Sequence, residues 1–241
     1  MKQFIAEDSF WELFPEAMIG VVVARHMKLA SEVSEADRAE IAEKLDLANR
    51  RAERFLTSDT ISENKPVQVW RRAYQQFKTK KGARCAIENL LKRVLKDKPV
   101  GSISPSVDIY NSVSLTYAFP TGGFDLNKIE GNYRLCTTEG GDSFLPIGED
   151  AEEPTLPGEL IYVDDAGATS RCWNWRDSQR TALSDETTDA VLVFECLEPE
   201  RIEDAKAELA DLSDLLSHYF GATITAQELV TTDNRVVTLD E

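Results

Sequence analysis

The longest uninterrupted apolar stretch of the chain runs only from Ala17 to Ala24. A helix that crosses a membrane needs roughly 18 or more apolar residues, whereas a stretch of this length suits a fully buried strand. The chain has 241 residues, of which 42% are hydrophobic and 29% charged, and these values are ordinary for one large domain with a buried core. The sequence therefore predicts a globular protein with no membrane partner.

Cysteine and histidine usage argues against a metal site. The four cysteines lie far apart, at Cys85, Cys136, Cys172 and Cys196. None forms a C-x-x-C pair, and the chain has only two histidines, so neither a zinc site nor a disulfide framework is expected. The nucleotide-binding glycine motifs are also absent, and acidic residues stand where a secretion signal would be apolar. We expect a cytoplasmic protein with no metal and no cofactor.

The charges are unevenly distributed along the chain. The net charge is −16, yet residues 61–100 carry 11 basic and 3 acidic side chains, a local excess of +8. Two interpretations remain open: these residues form the solvated face of helices, or they form a patch that contacts phosphate groups. Because the rest of the chain is acidic, such a contact would be weak and salt-sensitive.

The sequence pattern predicts short strands from Phe4 to Val23 around a turn at Phe14-Pro15, then helices up to Pro99. Mostly strands follow, with one further helix near the end. The predicted helices cover residues 35–56 with Ser34 as N-cap, a segment opened by Pro66, residues 84–96 and residues 200–220, the last ended by Gly221. The predicted strands cover 132–137, 159–163, 169–175 and 190–197, with a hairpin turn at 164–167. Residues 107–117 alternate as a strand, although a helix beginning near Asn111 also fits. The fold class is α+β, with helices flanking a mostly antiparallel β core.

Glu195 is the most informative single residue. It shares the strand phase of Val191 and Val193, so its carboxylate is expected among buried apolar side chains. A buried acid needs a partner or a raised pKa. A structural ion pair and a functional carboxylate are both consistent with this position.

Three other segments carry candidate site residues, each with a structural alternative. Asp108 and Asn111 stand beside apolar neighbours, where local capping would also place them. Gly122 and Gly123 lie in a turn whose amides can hold a developing oxyanion, although a plain turn fits equally. Strand alternation puts Trp173 and Trp175 on one face. Arg176, on the other face, can bind a carboxylate or phosphate or form a structural ion pair.

These segments, in their order and spacing, resemble the B3/B4 domain, the editing domain of the bacterial phenylalanyl-tRNA synthetase β subunit. The resemblance covers about residues 70–220. It rests on VDIYN at 107–111, PTGGFDL at 120–126, IEG at 129–131, TTD at 187–189 and FE at 194–195. Freestanding B3/B4 proteins are similar also at ELIYVDD, residues 159–165, and at residues 171–176.

The resemblance implies a β-sandwich-like core with packed helices and hydrolysis of the ester that links a wrong amino acid to tRNA. A glutamate of the family's editing pocket matches Glu195. The family's histidine and threonine are replaced here by Gly122 and Tyr110, and bulky Trp175 and Arg176 stand near its glycine-rich pocket wall, so the pocket should differ in shape. The catalytic domain of the synthetase is absent, which excludes aminoacylation.

The resulting hypothesis is a trans-editing hydrolase that binds tRNA weakly. The tRNA 3′ end would enter between Tyr110–Asn111 and Glu195, with Asp108, Trp175 and Arg176 as further substrate contacts and the amides of Gly122 and Gly123 as oxyanion donors. Phosphates would meet five basic residues, Arg71, Arg72, Lys92, Arg93 and Lys96. The chain is divided into a packed N-terminal segment (1–60), the B3/B4 domain (61–230) and a tail (231–241).

Two alternatives stay open. One is a non-catalytic module that binds RNA, an amino-acid-like ligand or a protein. The other is an amidase or esterase that acts on a small aminoacyl compound and does not need the basic helices. Neither the amino acid, the tRNA nor the oligomeric state follows from the sequence.

Overall fold

Two β-sheets packed face to face form the centre of the protein, which is described here by a computed structural model covering residues 1–240. The first sheet has the strand order β10-β1-β4-β5-β6-β7. Its strands are β1 (Gln3–Ala6), β4 (Tyr133–Thr137), β5 (Leu160–Asp164), β6 (Gly167–Arg171), β7 (Arg176–Asp177) and β10 (Val236–Thr238). The second has the order β3-β8-β2-β9, with β2 (Met18–Arg25), β3 (Thr121–Asp125), β8 (Ala190–Cys196) and β9 (Thr223–Val230).

Strand alternation builds the core between the sheets. Val191 and Val193 of β8 face Tyr133 and Tyr162 of the first sheet within one buried apolar cluster. The opposite face of β8, with Leu192 among its residues, packs in a second cluster against helices. The short apolar stretch at β2 is buried on both faces, as its composition predicts. Among the ten strands found in residues 1–240, every pairing is antiparallel except that between β1 and β4, so the mostly antiparallel α+β prediction is confirmed.

Six α-helices surround the sheets in residues 1–240. They are α1 (Asp8–Leu13), α2 (Glu35–Ala52), α3 (Lys65–Ala73), α4 (Ala86–Leu95), α5 (Pro105–Tyr117) and α6 (Ile202–Phe220). The helix boundaries follow the capping signals: the Ser34 hydroxyl accepts a hydrogen bond from the Asp37 amide at 3.1 Å, and Gly221 ends α6 in the left-handed conformation. None of the helices within residues 1–240 could span a membrane. A cytoplasmic location stays a prediction.

The strand interpretation of residues 107–117 is wrong, because the segment is helix α5. Pro105 occupies the first turn of the helix, where its missing N–H costs nothing. The Asp108 carboxylate accepts hydrogen bonds from the Ser102 hydroxyl and the Ile103 amide and so fixes the direction in which the chain enters the helix. Ile109, Val113 and Tyr117 also fit the helical i, i+4 spacing, which the alternating count concealed.

The predicted strand 169–175 ends early, and the placement of both tryptophans on one strand face is wrong. Strand β6 stops at Arg171, and Cys172 and Trp173 have φ angles of 45° and 65°. Two consecutive left-handed residues turn the chain back, so Trp173 is fully buried and Trp175 is half-buried. Trp173 lies amid four aromatic rings, of which Phe14 and Trp70 are each 4.8 Å from it between centroids.

The ends of the chain are part of the sheets. Residues 1–60 supply β1 to one sheet and the interior strand β2 to the other. The sequence pattern predicted no strand after Gly221, yet β9 pairs with β2 over its length and β10 pairs with β1. Val237, inside the segment predicted to be a tail, is buried in the central core. The division of the chain at residues 60 and 230 stays a prediction.

Candidate functional site

Glu195 lies near the end of β8 with its side chain in the core between the two sheets, as its strand phase predicts. Its side chain is only 2% exposed. No cation pairs with it among the described residues; its two carboxylate oxygens are instead bound by neutral donors. The Tyr162 hydroxyl donates to Oε1, and Asn174 Nδ2 donates to Oε2 at 3.0 Å.

A chain of hydrogen bonds continues from Glu195 to helix α3. The Tyr74 hydroxyl, at the C-terminal end of α3, donates to Asn174 Oδ1 at 2.9 Å. Asn174 therefore connects two buried groups with its amide, and it sits in the left-handed turn that follows β6. Burial raises the pKa of both Tyr74 and Tyr162 well above the ordinary value, so both phenols keep their protons.

The environment of Glu195 favours its neutral form. Burial raises its pKa from 4.5 to about 7, and the hydrogen bonds from Tyr162 and Asn174 oppose this rise without cancelling it. Asp177 on β7 adds to the rise by like-charge repulsion, and its own pKa is raised by burial to about 6. Two carboxyl groups that exchange protons near neutral pH therefore lie in one region, a property typical of acid–base sites.

Tyr110 is connected to this region through Asp177. Burial raises the pKa of the Tyr110 phenol, and the charge of Asp177 raises it further. No hydrogen bond joins Tyr110 or Asn111 to Glu195 within residues 1–240, and Asn111 is buried on α5 without a side-chain hydrogen bond. The Asp108 carboxylate binds the Ile103 amide just before α5, in agreement with the alternative in which it has a local structural role.

Gly122 and Gly123 are strand residues, and their amides point in opposite directions. Gly122 pairs with Val193 of β8, and the Glu195 amide donates to the Pro120 carbonyl at 3.3 Å. By antiparallel alternation the Gly122 amide therefore belongs to the β3–β8 ladder. The Gly123 amide points away from β8, as does that of Asp125, which donates to the Thr181 carbonyl at 2.9 Å. Of the two predicted oxyanion donors, only Gly123 has its amide off the ladder.

Gly122 also leaves space beside Glu195. Because β3 and β8 pair in register, Gly122 and Glu195 share the face of the sheet that looks toward the other sheet. A Cβ atom at Gly122 would contact only the ring of Phe124, at 3.6 Å, and the residue is partly exposed. The absence of a side chain here leaves space on the face of β3 that Glu195 shares, while Phe124 forms a bridge with Ala182 along the outer edge of the strand.

Trp175 and Arg176 lie at the surface next to Asn174. The Lys80 ammonium and the Arg176 guanidinium are each 5.5 Å from the centre of the Trp175 ring system. Arg176 also pairs with Glu149 at 3.0 Å, which is the structural ion pair that the sequence left open. Lys80 pairs with Glu153 of the same acidic loop.

The five predicted phosphate contacts divide into two groups. Arg71 forms a bidentate pair with buried Glu88, through Nε at 3.1 Å and Nη2 at 2.6 Å. Its positive charge is therefore neutralised by Glu88 rather than left for a phosphate. The other four are exposed: Arg72, Lys92, Arg93 and Lys96. Arg93 donates to the Pro99 carbonyl at 3.2 Å, and no acidic side chain pairs with any of these four in the described part of the chain.

Four residues around Glu195 were missed as site residues: Tyr162, Asn174, Tyr74 and Asp177. Tyr162 and Tyr74 look like ordinary core aromatics in the sequence. Asp177 follows Arg176 just beyond the segment predicted as a strand. The sequence indicated only that a buried carboxylate needs hydrogen-bond donors, without indicating which residues supply them.

Comparison with known proteins decides the family. A sequence model described as "B3/4 domain" matches residues 69–239, most of the chain. The chain belongs to the B3/4 domain family. The resemblance inferred from the sequence motifs is thereby confirmed.

Two curated proteins are similar over part of the chain. The phenylalanine–tRNA ligase beta subunit of Fusobacterium nucleatum subsp. nucleatum is 27% identical over 124 residues, which are 52% of this chain and 15% of that protein. The corresponding subunit of Nocardia farcinica is 33% identical over 103 residues, which are 42% of this chain and 12% of that protein. This B3/4 chain thus matches only a small part of each relative.

A solved structure has the same fold. It is the crystal structure of an N-terminal fragment of the phenylalanyl-tRNA synthetase beta-subunit from Pyrococcus horikoshii, with a TM-score of 0.50 and 11% identity. The alignment covers 94% of this chain and 53% of that one. At this identity the likeness shows the fold alone, which agrees with the predicted B3/B4 sandwich with flanking helices.

Proposed function

We propose that this B3/4 chain hydrolyses the ester between an amino acid and the 3′ end of a misacylated tRNA, acting in trans. The observation that carries the proposal is the state of Glu195. The residue that matches the family's pocket glutamate is buried, held at both oxygens by neutral donors, and has a pKa of about 7. Such a carboxylate can take up and release a proton at neutral pH.

The proposed reaction needs one base and one oxyanion donor. The oxygen of a water molecule attacks the ester carbonyl while its proton passes to ionised Glu195, and a tetrahedral oxyanion forms. When the carbon–oxygen bond to the ribose breaks, the same proton passes to the departing ribose oxygen, which leaves a free amino acid and deacylated tRNA. The Gly123 amide is the better placed of the two glycine donors, since the Gly122 amide belongs to the ladder. Aminoacyl esters are reactive, so positioning and one such donor suffice.

The open side of Gly122 suggests how the substrate arrives. Access at Gly122 would bring the ester to the face of the sheet that carries Glu195. The exposed basic side chains at Arg72, Lys92, Arg93 and Lys96 would contact the tRNA backbone. Ion pairs with phosphates weaken as the salt concentration rises, and the net charge of −16 repels RNA. We therefore expect weak, salt-sensitive binding.

The first experiment is deacylation of a panel of correctly and incorrectly charged tRNAs. We expect hydrolysis of one mischarged species, with a rate that rises through about pH 7 as Glu195 ionises. The Glu195→Gln variant keeps the shape and loses the base, and it should lose this activity. Glu208→Gln is the matched control, because Glu208 is also fully buried but is bound by Thr121 Oγ1, at 2.6 Å, rather than by Tyr162 or Asn174. Equal activity in wild type and Glu195→Gln would remove Glu195 from the mechanism.

A second experiment separates tRNA from small substrates. Replacing Lys92, Arg93 and Lys96 together by Gln should weaken tRNA binding. It should also reduce the slope of log K against log salt by roughly 1 for each phosphate that these side chains no longer neutralise. An enzyme for small aminoacyl compounds would keep its activity in this variant. Unchanged tRNA affinity and salt slope would place the RNA contact elsewhere or eliminate it.

A non-catalytic binding module is the second candidate, and one observation favours it. Gly122 and Tyr110 replace the pocket histidine and threonine that the resemblance implies, while Glu195 is almost completely enclosed. If no charged tRNA is hydrolysed by folded protein but uncharged tRNA is bound, this second function is the correct one.

A further inference from the structure

A cavity of about 320 Å³ opens between the end of α3 and the start of α4. It is lined by Trp70, Arg71, Tyr74, Gln75, Thr79, Ala83, Arg84, Cys85 and Glu88. The volume is within the range of small-molecule sites and the wall combines aromatic, thiol and polar groups with a few charges. None of these residues except Arg71 belongs to the predicted site, and Arg71 was expected to face RNA.

The cavity contains more positive than negative charge. Glu88 has a 5% exposed side chain and is the only carboxylate in the wall; it pairs with Arg71, and Arg84 Nε lies 3.7 Å from its Oε1. Burial raises the pKa of both the Cys85 thiol and the Tyr74 phenol, so these two stay neutral. Two guanidinium groups against one carboxylate leave a net charge of +1.

The surplus charge resides on Arg84. Arg71 is satisfied by its bidentate pair, whereas the Arg84 Nη1 donates only to the neighbouring Ala83 carbonyl, at 2.6 Å. In residues 1–240 no acceptor binds Nη2 of Arg84, and the side chain is 50% exposed at the mouth of the cavity. The first turn of α4, which begins after Cys85, adds the partial positive charge of a helix N-terminus.

We propose that this cavity binds a small organic carboxylate whose apolar part lies against the aromatic wall. The free edge of Arg84 presents the planar pair of donors that a carboxylate matches. A single negative charge neutralises the surplus, whereas a doubly charged phosphate would exceed it. Trp70 and Tyr74 provide the apolar surface, and Gln75 and Thr79 supply further polar groups.

This site is separate from Glu195 but connected to it. Tyr74 lines the cavity, and its hydroxyl is the first member of the chain that runs through Asn174 to Glu195. The binding proposal itself does not depend on the hydrolase proposal, because it is tested without RNA.

The test is an NMR titration of the full chain, labelled with ¹⁵N, using phenylacetate, L-phenylalanine, phenethylamine and inorganic phosphate as separate probes. We expect both carboxylates to shift the amide signals of residues 70–88, and phenethylamine, which lacks the carboxylate, to leave them in place. Phosphate should bind at least about tenfold more weakly than phenylacetate, because it lacks an apolar part.

Variants of Arg84 decide the outcome. Arg84→Gln should weaken phenylacetate binding by about tenfold or more, and Arg84→Lys, which keeps the charge without the fork, should be intermediate. Lys98→Gln, an exposed change beyond the end of α4 and outside the cavity, is the matched control and should bind as wild type does. The spectra of the variants report whether each is folded. Absence of any carboxylate binding at millimolar concentration, equal binding of phenethylamine, or unchanged binding by folded Arg84→Gln would overturn the proposal.

Discussion

Two buried glutamates on the two sides of the core differ in their partners. Glu159, just before β5, is fully buried and forms a bidentate pair with Arg171, through Nε at 2.9 Å and Nη2 at 2.6 Å. Arg171 is itself 2% exposed. Glu195, on β8, is equally enclosed, and within residues 1–240 its carboxylate accepts hydrogen bonds from the neutral groups of Tyr162 and Asn174.

This difference in partners distinguishes a carboxylate with a structural role, Glu159, from one that can exchange a proton, Glu195. A guanidinium partner forms strong, charge-assisted hydrogen bonds with a carboxylate. The pair of Arg171 and Glu159 connects β6 to the residue just before β5 and so stabilises the sheet. Neutral donors hold Glu195 in place without supplying a charge, so burial dominates and its proton leaves near pH 7. The kind of partner, rather than the depth of burial, distinguishes Glu195 from Glu159.

Breaking the ion pair should have the largest effect on stability. Arg171→Met leaves the Glu159 carboxylate buried without a cation and should lower the free energy of unfolding by about 3–5 kcal/mol. Urea unfolding measures this loss. The double variant Arg171→Met with Glu159→Gln removes the unpaired charge and should recover much of it. A loss below about 1 kcal/mol in the single variant, typical of a surface pair, would show that Glu159 is not confined as described.

The second prediction concerns the pH dependence of stability that Glu195 contributes. The pKa of Glu195 is about 7 in the folded protein, compared with an ordinary value of 4.5 that applies to the unfolded chain. The folded state therefore binds the proton more tightly than the unfolded state. The contribution is complete below pH 4.5 and is lost as the pH rises to about 7, a change of roughly 3 kcal/mol. Urea unfolding of wild type and Glu195→Gln across this window measures it, since other groups cancel in the difference. Parallel stability curves would contradict the assignment.

Glu208 on α6 tests whether burial alone produces this behaviour. Its Oε1 accepts from Thr121 Oγ1, its Oε2 has no hydrogen-bond partner among the described residues, and burial raises its pKa. Its stabilising contribution is therefore also lost as the pH rises above 4.5. Glu208→Gln should be more stable than wild type by about 1–3 kcal/mol at alkaline pH, and nearly equal in acid. Thermal unfolding at the two pH values checks this; a variant less stable in alkali would indicate an ionised, well-partnered Glu208.

The sequence predicted Glu195 because strand phase is a local property. A carboxylate in phase with Val191 and Val193 must be buried if that face of the strand is buried. Both valines and Glu195 are buried in the structure. Its partners come from elsewhere: Tyr162 lies 33 residues before it and Asn174 lies 21 before it. Asn174 reaches Glu195 only because two non-glycine residues adopt positive φ, which no composition rule indicates.

The errors in secondary structure have similar causes. Residues 107–117 satisfy both the two-residue and the four-residue spacing; Pro105 in the first turn and the Asp108 bond to the Ile103 amide both favour the helix. Strand β10 has three residues and acquires its structure from pairing with β1, at the other end of the chain. Short edge strands of this kind carry too little pattern to be predicted.

The smallest expected effect comes from removing one donor to Glu195. Tyr162→Phe deletes the hydroxyl that donates to Oε1 and leaves the Asn174 bond intact. Because this hydrogen bond opposes the rise in the pKa of Glu195, its loss should raise that pKa further. The free energy of unfolding should fall by about 1 kcal/mol where Glu195 is protonated and by up to about 2 kcal/mol where it is ionised, since charged acceptors bind more strongly. Urea unfolding below and above pH 7 measures both values.

Tyr133→Phe is the control for this prediction. The Tyr133 ring stacks on that of Tyr162 with centroids 5.3 Å apart, but its buried hydroxyl has no hydrogen-bond partner within residues 1–240. Removing it relieves an unpaired polar group, so stability should stay the same or rise slightly at every pH. If both variants lose the same free energy, the effect at Tyr162 is packing and the neutral-donor description of Glu195 fails. If only Tyr162→Phe shows a loss that grows with pH, the hydroxyl is what holds the carboxylate ready to ionise.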